Sequence, residues 1–104
     1  MQKNKDLFLA INTCKTPTGP FVSVFSDDKY PGMAVDKGVD RVIYKIDNNV
    51  VSSFFKTLRA NKMLFIKHQL KYGIVFNCGY VKDLHRMNKF MNLVKNFSIK
   101  CLPG

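Results

Sequence analysis

The chain has 104 residues, 46% of them hydrophobic, and its 17 Lys and Arg against 7 acidic residues give a formal net charge of +10. This length predicts a single domain over residues 1–104, with a core that needs neither disulfides nor a metal. Nine phenylalanines exclude a basic disordered tail, because such tails are poor in aromatic residues. Three widely spaced cysteines predict reduced thiols and a cytoplasmic location.

Alternating apolar residues predict three strands in the first half of the chain. Leu7, Leu9 and Ile11 share one face of a strand over residues 5–14, and residues 21–26 alternate in the same way. Segment 16–20, which contains two prolines and a glycine, predicts a turn between them and therefore a hairpin. A loop over 27–38 and a third strand over 39–46 follow.

A first helix and a second hairpin are predicted next. Segment 47–49, Asp-Asn-Asn, offers N-cap side chains to a helix over residues 50–62, in which Val50, Phe54 and Leu58 recur every four positions. Residues 63–70 are rich in β-formers, and residues 74–78 provide the partner strand. Tyr72-Gly73 between them predicts a turn at the tip of this hairpin.

The last helix is predicted over residues 80–97. Its apolar stripe is expected to be Leu84, Met87, Met91 and Val94, which step by three and four positions. Residues 98–102 offer a short closing strand. The order β-β-β-α-β-β-α, with this final β as an option, predicts an α+β fold with two helices on one face of a mostly antiparallel sheet.

Two known arrangements are similar in element order. From Val39 onward, the elements also suit a split β-α-β-β-α-β unit of ferredoxin type. The whole order and the chain length resemble the double-wing DNA-binding half of phage middle-promoter activators, and this resemblance implies a DNA-binding role. It rests on order and size, and no sequence motif accompanies it.

Positive charge is concentrated in the second half of the chain. Residues 1–52 hold seven basic and six acidic residues, a net of +1, whereas residues 53–104 hold ten basic residues and only Asp83, a net of +9. This asymmetry predicts a positive face, which attracts phosphate backbones, anionic lipid or acidic protein surfaces. The second helix is needed to close the core of a small domain, which argues against a membrane surface as the partner.

The candidate contact residues are basic side chains of the helices and the second hairpin, with one tyrosine. Lys82, Arg86 and Lys89 recur at i, i+4 and i+7, opposite the expected apolar stripe. Arg59 and Arg86 suit base or bidentate phosphate contact, because the guanidinium group is a planar fork of donors. At a hairpin tip, Tyr72 would stack on a base. The predicted nucleic-acid-binding set is Lys56, Arg59, Lys62, Lys67, Lys71, Tyr72, Lys82, Arg86 and Lys89.

Two functions from different classes account for this surface. The first is a small basic nucleic-acid-binding protein, regulatory or architectural, that contacts the phosphates of DNA or RNA. The alternative is a phage- or virus-type host-modulating inhibitor that docks on an acidic surface of a partner protein, including in the cytoplasm of an infected host cell. The scarcity of arginine favours this alternative. Exposed edge strands would also allow a homodimer.

Catalytic and metal-binding patterns are weak in this sequence. Glu is absent, and no Walker loop, HExxH motif or Ser elbow occurs, so a non-enzymatic protein without a cofactor is expected. Asp27-Asp28, in a loop with Pro and Gly, are more typical of a turn than of a cation site. His68 and His85 are spaced like no structural zinc pattern, so no metal site is expected.

Overall fold

The secondary structure is described by a computed structural model over residues 5–27, 37–63, 66–68, 71–79 and 81–101. The elements are β1 (Leu7–Thr16), β2 (Gly19–Asp27), β3 (Val39–Ile46), α1 (Val51–Ala60), β4 (Ile66–His68), β5 (Lys71–Asn77), α2 (Val81–Phe97) and β6 (Ile99–Cys101). The six strands form one sheet in the order β4-β5-β2-β1-β3-β6, and each neighbouring pair is antiparallel. The predicted α+β class and element order are confirmed, including the short last strand.

The hairpin of β1 and β2 occupies the middle of the sheet. Thr16 is paired with Gly19, so Pro17 and Thr18 form a two-residue turn. Gly19 has a φ of 122°, and a Cβ at this position would lie 2.9 Å from the Cα of Gly79. Glycine is therefore required at position 19 for two reasons. It permits this backbone conformation, and it allows the close approach to the segment before α2.

Both helices connect strands that lie far apart in the sheet. Because neighbouring strands alternate in direction, β3 and β4 run the same way, and so do β5 and β6. The connection β3-α1-β4 crosses the central hairpin in one direction, and β5-α2-β6 crosses it in the other. Such crossovers are almost always right-handed. Because β3 and β5 also point in opposite directions, two right-handed crossovers that run in opposite directions across the sheet place their helices on the same face. The ferredoxin-type alternative is wrong, because β1 and β2 separate β3 from β5.

The hydrophobic core lies between the two helices and one face of the sheet. Leu9 of β1, Phe54 of α1 and Phe90 of α2 are fully buried members of one cluster. The ring of Phe90 contacts Phe76 of β5, with ring centroids 5.8 Å apart, and Phe54 contacts Phe97 of α2 at 5.7 Å. Burying each such side chain contributes about 1.5–3 kcal/mol. The expected packing of both helices on one face is confirmed by this shared cluster.

The buried stripe of α2 differs from the expected one. Phe90 is 0% exposed and Val94 is fully buried, whereas Leu84 is 39% exposed. Met87 and Met91 are partly buried against the core. Phe90 lies three residues after Met87 and four before Val94, so it belongs to the same helical stripe, and its larger apolar area favours burial. The assignment of Leu84 to the core is wrong.

The start of α1 lacks the expected side-chain cap. Val50 is the N-cap residue, and no side chain caps the helix, so the prediction of capping by the Asp-Asn-Asn segment is wrong. The amide of Val50 instead donates a hydrogen bond of 3.0 Å to the carbonyl oxygen of Asp47. The Asn48 amide donates to Oδ1 of Asp6 at 2.9 Å, which ties this turn to the beginning of β1.

Candidate nucleic-acid interface

Most of the predicted contact residues lie in one layer of the molecule, formed by α1 with the two residues after it (51–62) and by α2 (81–97). This part is termed the helical layer. One side of it covers the core, and the other side faces solvent. Its exposed basic residues are Lys56, Arg59, Lys62, Lys82, Arg86, Lys89 and Lys95. Of these, Lys95 was not among the predicted contacts, although it extends the same run of cations toward the end of α2.

Helix α1 turns its basic residues away from the core. Phe54 and Leu58 are buried, and they define the inward side of this helix. Lys56 and Arg59 follow Phe54 by two and five residues, which corresponds to about 200° and 140° around the helix axis. Both side chains are accordingly exposed. The apolar spacing of this helix thus places its cations where a ligand can reach them.

The segment after α1 presents Lys62 in an unusual backbone conformation. The Lys62 amide donates to the carbonyl oxygen of Arg59 at 3.0 Å, and the Met63 amide donates to that of Leu58 at 2.8 Å. These two bonds are a Schellman motif, whose left-handed position is usually glycine. Here that position is Lys62, with a φ of 58°. The motif buries Met63 and leaves Lys62 exposed beside the end of the helix.

The basic residues of α2 flank its buried stripe. Relative to Phe90, the rotation around the helix axis is about 80° for Lys82, about 40° for Arg86 and about 100° for Lys89, all in one direction. Val94 is rotated by about 40° in the other direction. Because Phe90 belongs to the buried stripe and Leu84 does not, these cations lie nearer the edge of the core than the expected stripe implied. All three are exposed. Their aliphatic stems can cover the edge of the core while the charged ends reach water.

The helical layer has a large excess of positive charge. It contains seven Lys and Arg and one acidic residue, Asp83, for a net charge of +6. Even complete neutralisation of one cation by Asp83 leaves six positive charges without a carboxylate in this layer. The sheet is different: Lys45 of β3 forms ion pairs with Asp6 at 3.6 Å and with Asp47 at 3.7 Å. Lys45 is thus matched by carboxylates, whereas the helical layer keeps its positive charge in excess.

The remaining predicted contacts, Lys67, Lys71 and Tyr72, belong to the sheet. Lys67 lies in the edge strand β4, opposite Tyr72 of β5. Tyr72 is also opposite Ser26 of β2, so it is an internal strand residue, and its placement at a hairpin tip is wrong. The connection between β4 and β5, residues 69–70, lies outside the described residues.

Gly73 explains why this segment was predicted to be a turn. It lies inside β5, opposite Phe25 of β2. A Cβ at Gly73 would lie 3.2 Å from the carbonyl oxygen of Val24 and 3.9 Å from Cδ1 of Phe25. Glycine inside a strand often marks such a close approach of neighbouring atoms. Tyr72 therefore lies within a strand and not in a turn.

The Cys78 thiol lies just before the helical layer. Burial, and to a smaller extent the carboxylate of Asp83, raises the pKa of the Cys78 thiol. A raised pKa lowers the thiolate fraction at neutral pH and makes this cysteine a weaker nucleophile. Within the described ranges, no three His, Cys, Asp or Glu residues are grouped as metal ligands. Asp27 ends β2, and Asp28 lies outside those ranges.

No helix in the described part of the chain is long and apolar enough to cross a membrane. Comparison of the chain with protein-family models, with curated proteins and with solved structures found no match. What this protein does is therefore inferred from its own residues, and the cationic helical layer is the candidate site.

Proposed function

We propose that this protein binds nucleic acid through its helical layer and acts as a regulatory or architectural protein rather than as an enzyme. The observation that carries the proposal is the net charge of +6 on that layer, from seven cations and one carboxylate. A nucleic-acid strand carries a phosphate charge about every 3.4 Å along a duplex, so several of these cations can be neutralised together. Each contact releases counterions, and the affinity falls as the salt concentration rises.

Lysine and arginine would contribute differently to this interface. Lys56, Lys82 and Lys89 would contact phosphates as point charges on flexible stems. Arg59 and Arg86 would form bidentate hydrogen bonds to a phosphate or to a base edge. Because only two of the seven cations in the layer are arginines, most contacts would position the strand without reading its sequence. Lys67 and Lys71 would extend the surface along β4 and β5.

The proposal is tested by fluorescence-anisotropy titration with labelled single- and double-stranded DNA and RNA, from about 50 to 200 mM salt. The test variant is Lys82→Ala/Lys89→Ala. The control, Lys37→Ala/Lys45→Ala, makes the same change in net charge. Lys37 is exposed just before β3, and Lys45 is already paired with two carboxylates.

The test variant should reduce the slope of log K against log salt by about 1.8 on a duplex or about 1.4 on a single strand, as expected for two lost phosphate contacts. The control should leave the slope close to that of the unaltered protein. Equal loss of slope in both variants would mean that net charge alone governs binding, and the helical layer would not be the interface.

An acidic protein surface is the second partner that the same layer fits. The observation that favours it is the ratio of 14 lysines to 3 arginines, which leaves few side chains suited to reading bases. If none of the four nucleic acids binds at the lowest salt concentration, the proposed function is wrong. A complex of defined stoichiometry with one acidic protein would then identify the host-modulating alternative.

A further inference from the structure

The sheet surface opposite the helices carries aromatic rings outside the core. The registers of β1, β2 and β3 place Phe8, Phe21 and Phe25 on this surface, together with Asn12 and Arg41. These five residues are termed the aromatic face. Phe25 is 50% exposed, and Phe8 and Phe21 are half-buried. None of the three rings belongs to the core cluster.

Packing accounts for these three phenylalanines only in part. Ala10 and Ile43, on the same surface, are 3% and 5% exposed, so neighbouring side chains cover them. The rings of Phe54 and Phe90 fill the space between helices and sheet, where an apolar side chain is stabilised by burial. Phe25 gains little from burial, since half of it remains in contact with solvent. An exposed group of large apolar side chains on a folded protein commonly marks a binding surface.

The spacing of the rings separates them into individual platforms. Phe25 is opposite Ala10, so Phe8 is a diagonal neighbour of Phe25, at about 7–8 Å. Phe21 precedes Phe25 by four residues on the same strand, a separation of about 13 Å. Each ring can therefore stack on a different base of an extended strand.

A polar row crosses the aromatic face between Phe21 and Phe25. Asn12 is opposite Ser23 on one side and Arg41 on the other. Nε of Arg41 donates a hydrogen bond of 2.8 Å to Oδ1 of Asn12, which holds the guanidinium group in place on the sheet. A fixed guanidinium group beside aromatic rings suits the phosphates and base edges of a nucleic acid.

Charge distinguishes among the partners that could cover this face. An apolar protein surface would remove the Arg41 guanidinium group from water, and desolvation of a charged group is costly. A second copy of the chain would bring together two molecules that each carry a net charge of +10. A polyanion is attracted by that charge and also offers the flat faces of its bases to the rings. In a duplex, stacking within the helix hides those faces.

We infer that the aromatic face is a stacking platform for unpaired bases, and that this protein accommodates single-stranded nucleic acid on the sheet in addition to phosphates on the helical layer. This inference rests on the proposed function, because it requires nucleic-acid binding. It adds a second binding surface and specifies that the nucleic acid bound there is single-stranded. Phe25 is the principal stacking residue, and Phe8 and Phe21 extend the platform.

The experiment compares Phe25→Leu with Phe25→Tyr and with Ile99→Ala. Leucine keeps an apolar side chain but has no aromatic ring, whereas tyrosine keeps the ring. Ile99 of β6 lies on the same side of the sheet, opposite Lys45, and is 65% exposed, so it is a matched apolar control. Dissociation constants are measured for a labelled thymidine oligonucleotide of about 12 nucleotides and for a duplex of the same length.

Phe25→Leu should weaken binding of the single strand by at least about fivefold and leave binding of the duplex within about twofold. Phe25→Tyr and Ile99→Ala should remain within about twofold for both ligands. Equal weakening by Phe25→Leu and Ile99→Ala would overturn the inference, because an apolar contact rather than stacking would then be responsible. A concentration-dependent dimer in sedimentation that Phe25→Leu abolishes would overturn it in favour of a second copy.

Failure of this inference is distinguishable from failure of the proposed function. If Phe25→Leu binds the single strand normally while Lys82→Ala/Lys89→Ala still loses salt dependence, the aromatic face is not a nucleic-acid site and the helical layer remains the interface. If no nucleic acid binds at the lowest salt concentration, both proposals are wrong.

Discussion

The two faces of the sheet contain similar apolar side chains, but only one face is covered by helices. On the covered face, Leu9 and Val24 are buried beneath α1 and α2, and their residue types follow from packing. On the other face, Phe25 keeps half of its surface in contact with solvent. Successive side chains of a strand point to opposite faces of the sheet. The role of a phenylalanine here therefore depends on which face its side chain points to and on which face the crossover helices cover.

The largest expected effect compares Phe90→Ala with Phe25→Ala. Phe90 is 0% exposed, so its truncation should destabilise the fold by about 3–5 kcal/mol. Phe25→Ala should cost about 1 kcal/mol, because half of this side chain is already in contact with solvent. Urea unfolding followed by circular dichroism measures both values. If Phe90→Ala fails to fold, Phe90→Leu replaces it. Similar losses for the two positions would show that Phe25 is a core residue.

The next comparison concerns the contact that ties the central hairpin to α2. Gly19→Ala introduces a Cβ at a φ of 122° and at 2.9 Å from the Cα of Gly79, and it should cost about 2–4 kcal/mol. Gly38→Ala is the matched control. Gly38 also has a positive φ, 86°, but a Cβ there meets nothing within 4 Å, so only the backbone cost of about 1–2 kcal/mol is expected.

Urea unfolding of Gly19→Ala and Gly38→Ala separates the cost of the steric contact with Gly79 from the cost of the positive φ. Equal costs for the two alanine variants would mean that the approach of Gly19 to Gly79 relaxes easily. The tip of the hairpin would then not fix the start of α2, and the position of this helix would be set by core contacts such as those of Phe90 and Val94.

Local patterns in the sequence predicted most elements but not their arrangement. The alternation of Leu7, Leu9 and Ile11 and the four-residue spacing of Phe54 and Leu58 are properties of single segments, so strands and helices follow from them. Sheet order depends on pairing between distant segments. Nothing local indicates that β1 and β2 would lie between β3 and β5, and the ferredoxin-type alternative failed for this reason.

The candidate site was predictable where it depends on helical spacing. Arg59 was predicted as a contact residue, and the structure leaves it exposed, away from the side of α1 that Phe54 and Leu58 bury. On α2, Phe90 was overlooked, so Arg86 lies closer to the edge of the core than the expected stripe implied, although its side chain is exposed as predicted. The aromatic face was missed for a different reason. The solvent exposure of Phe25 depends on which face of the sheet both helices cover, and no local pattern in the sequence indicates that face.

A gain in affinity is expected from removing the single carboxylate of the helical layer. Asp83→Asn raises the net charge of that layer from +6 to +7, so binding of a duplex at about 50 mM salt should tighten about two- to fivefold. Combining Asp83→Asn with Phe25→Leu, which lies on the other face, should leave this gain in duplex affinity unchanged. The same substitution should lower the pKa of Cys78 in part, because Asp83 is the smaller of its two causes and burial remains.

Alkylation of the Cys78 thiol provides an independent readout of this variant. Iodoacetamide reacts with the thiolate, so Cys78 should react faster at pH 8 in Asp83→Asn than in the unaltered chain. The raised pKa also implies a stability contribution that is present below the pKa of the unfolded thiol and is lost as the pH rises through the folded value. An unchanged alkylation rate would show that the carboxylate is too well solvated to act on Cys78.

The smallest expected effect separates stability from binding at Lys62. This lysine occupies the left-handed position of a Schellman motif, with a φ of 58°, where glycine avoids the clash of the Cβ. Lys62→Gly should therefore stabilise the protein by about 0.5–1 kcal/mol. It should also lower the salt slope by about 0.9 on a duplex. Lys56→Gly is the matched control, because it removes the same charge but should destabilise α1 by about 1 kcal/mol. If Lys62→Gly gains stability and binds as before, Lys62 is not part of the interface, and its left-handed backbone has no functional explanation in the helical layer.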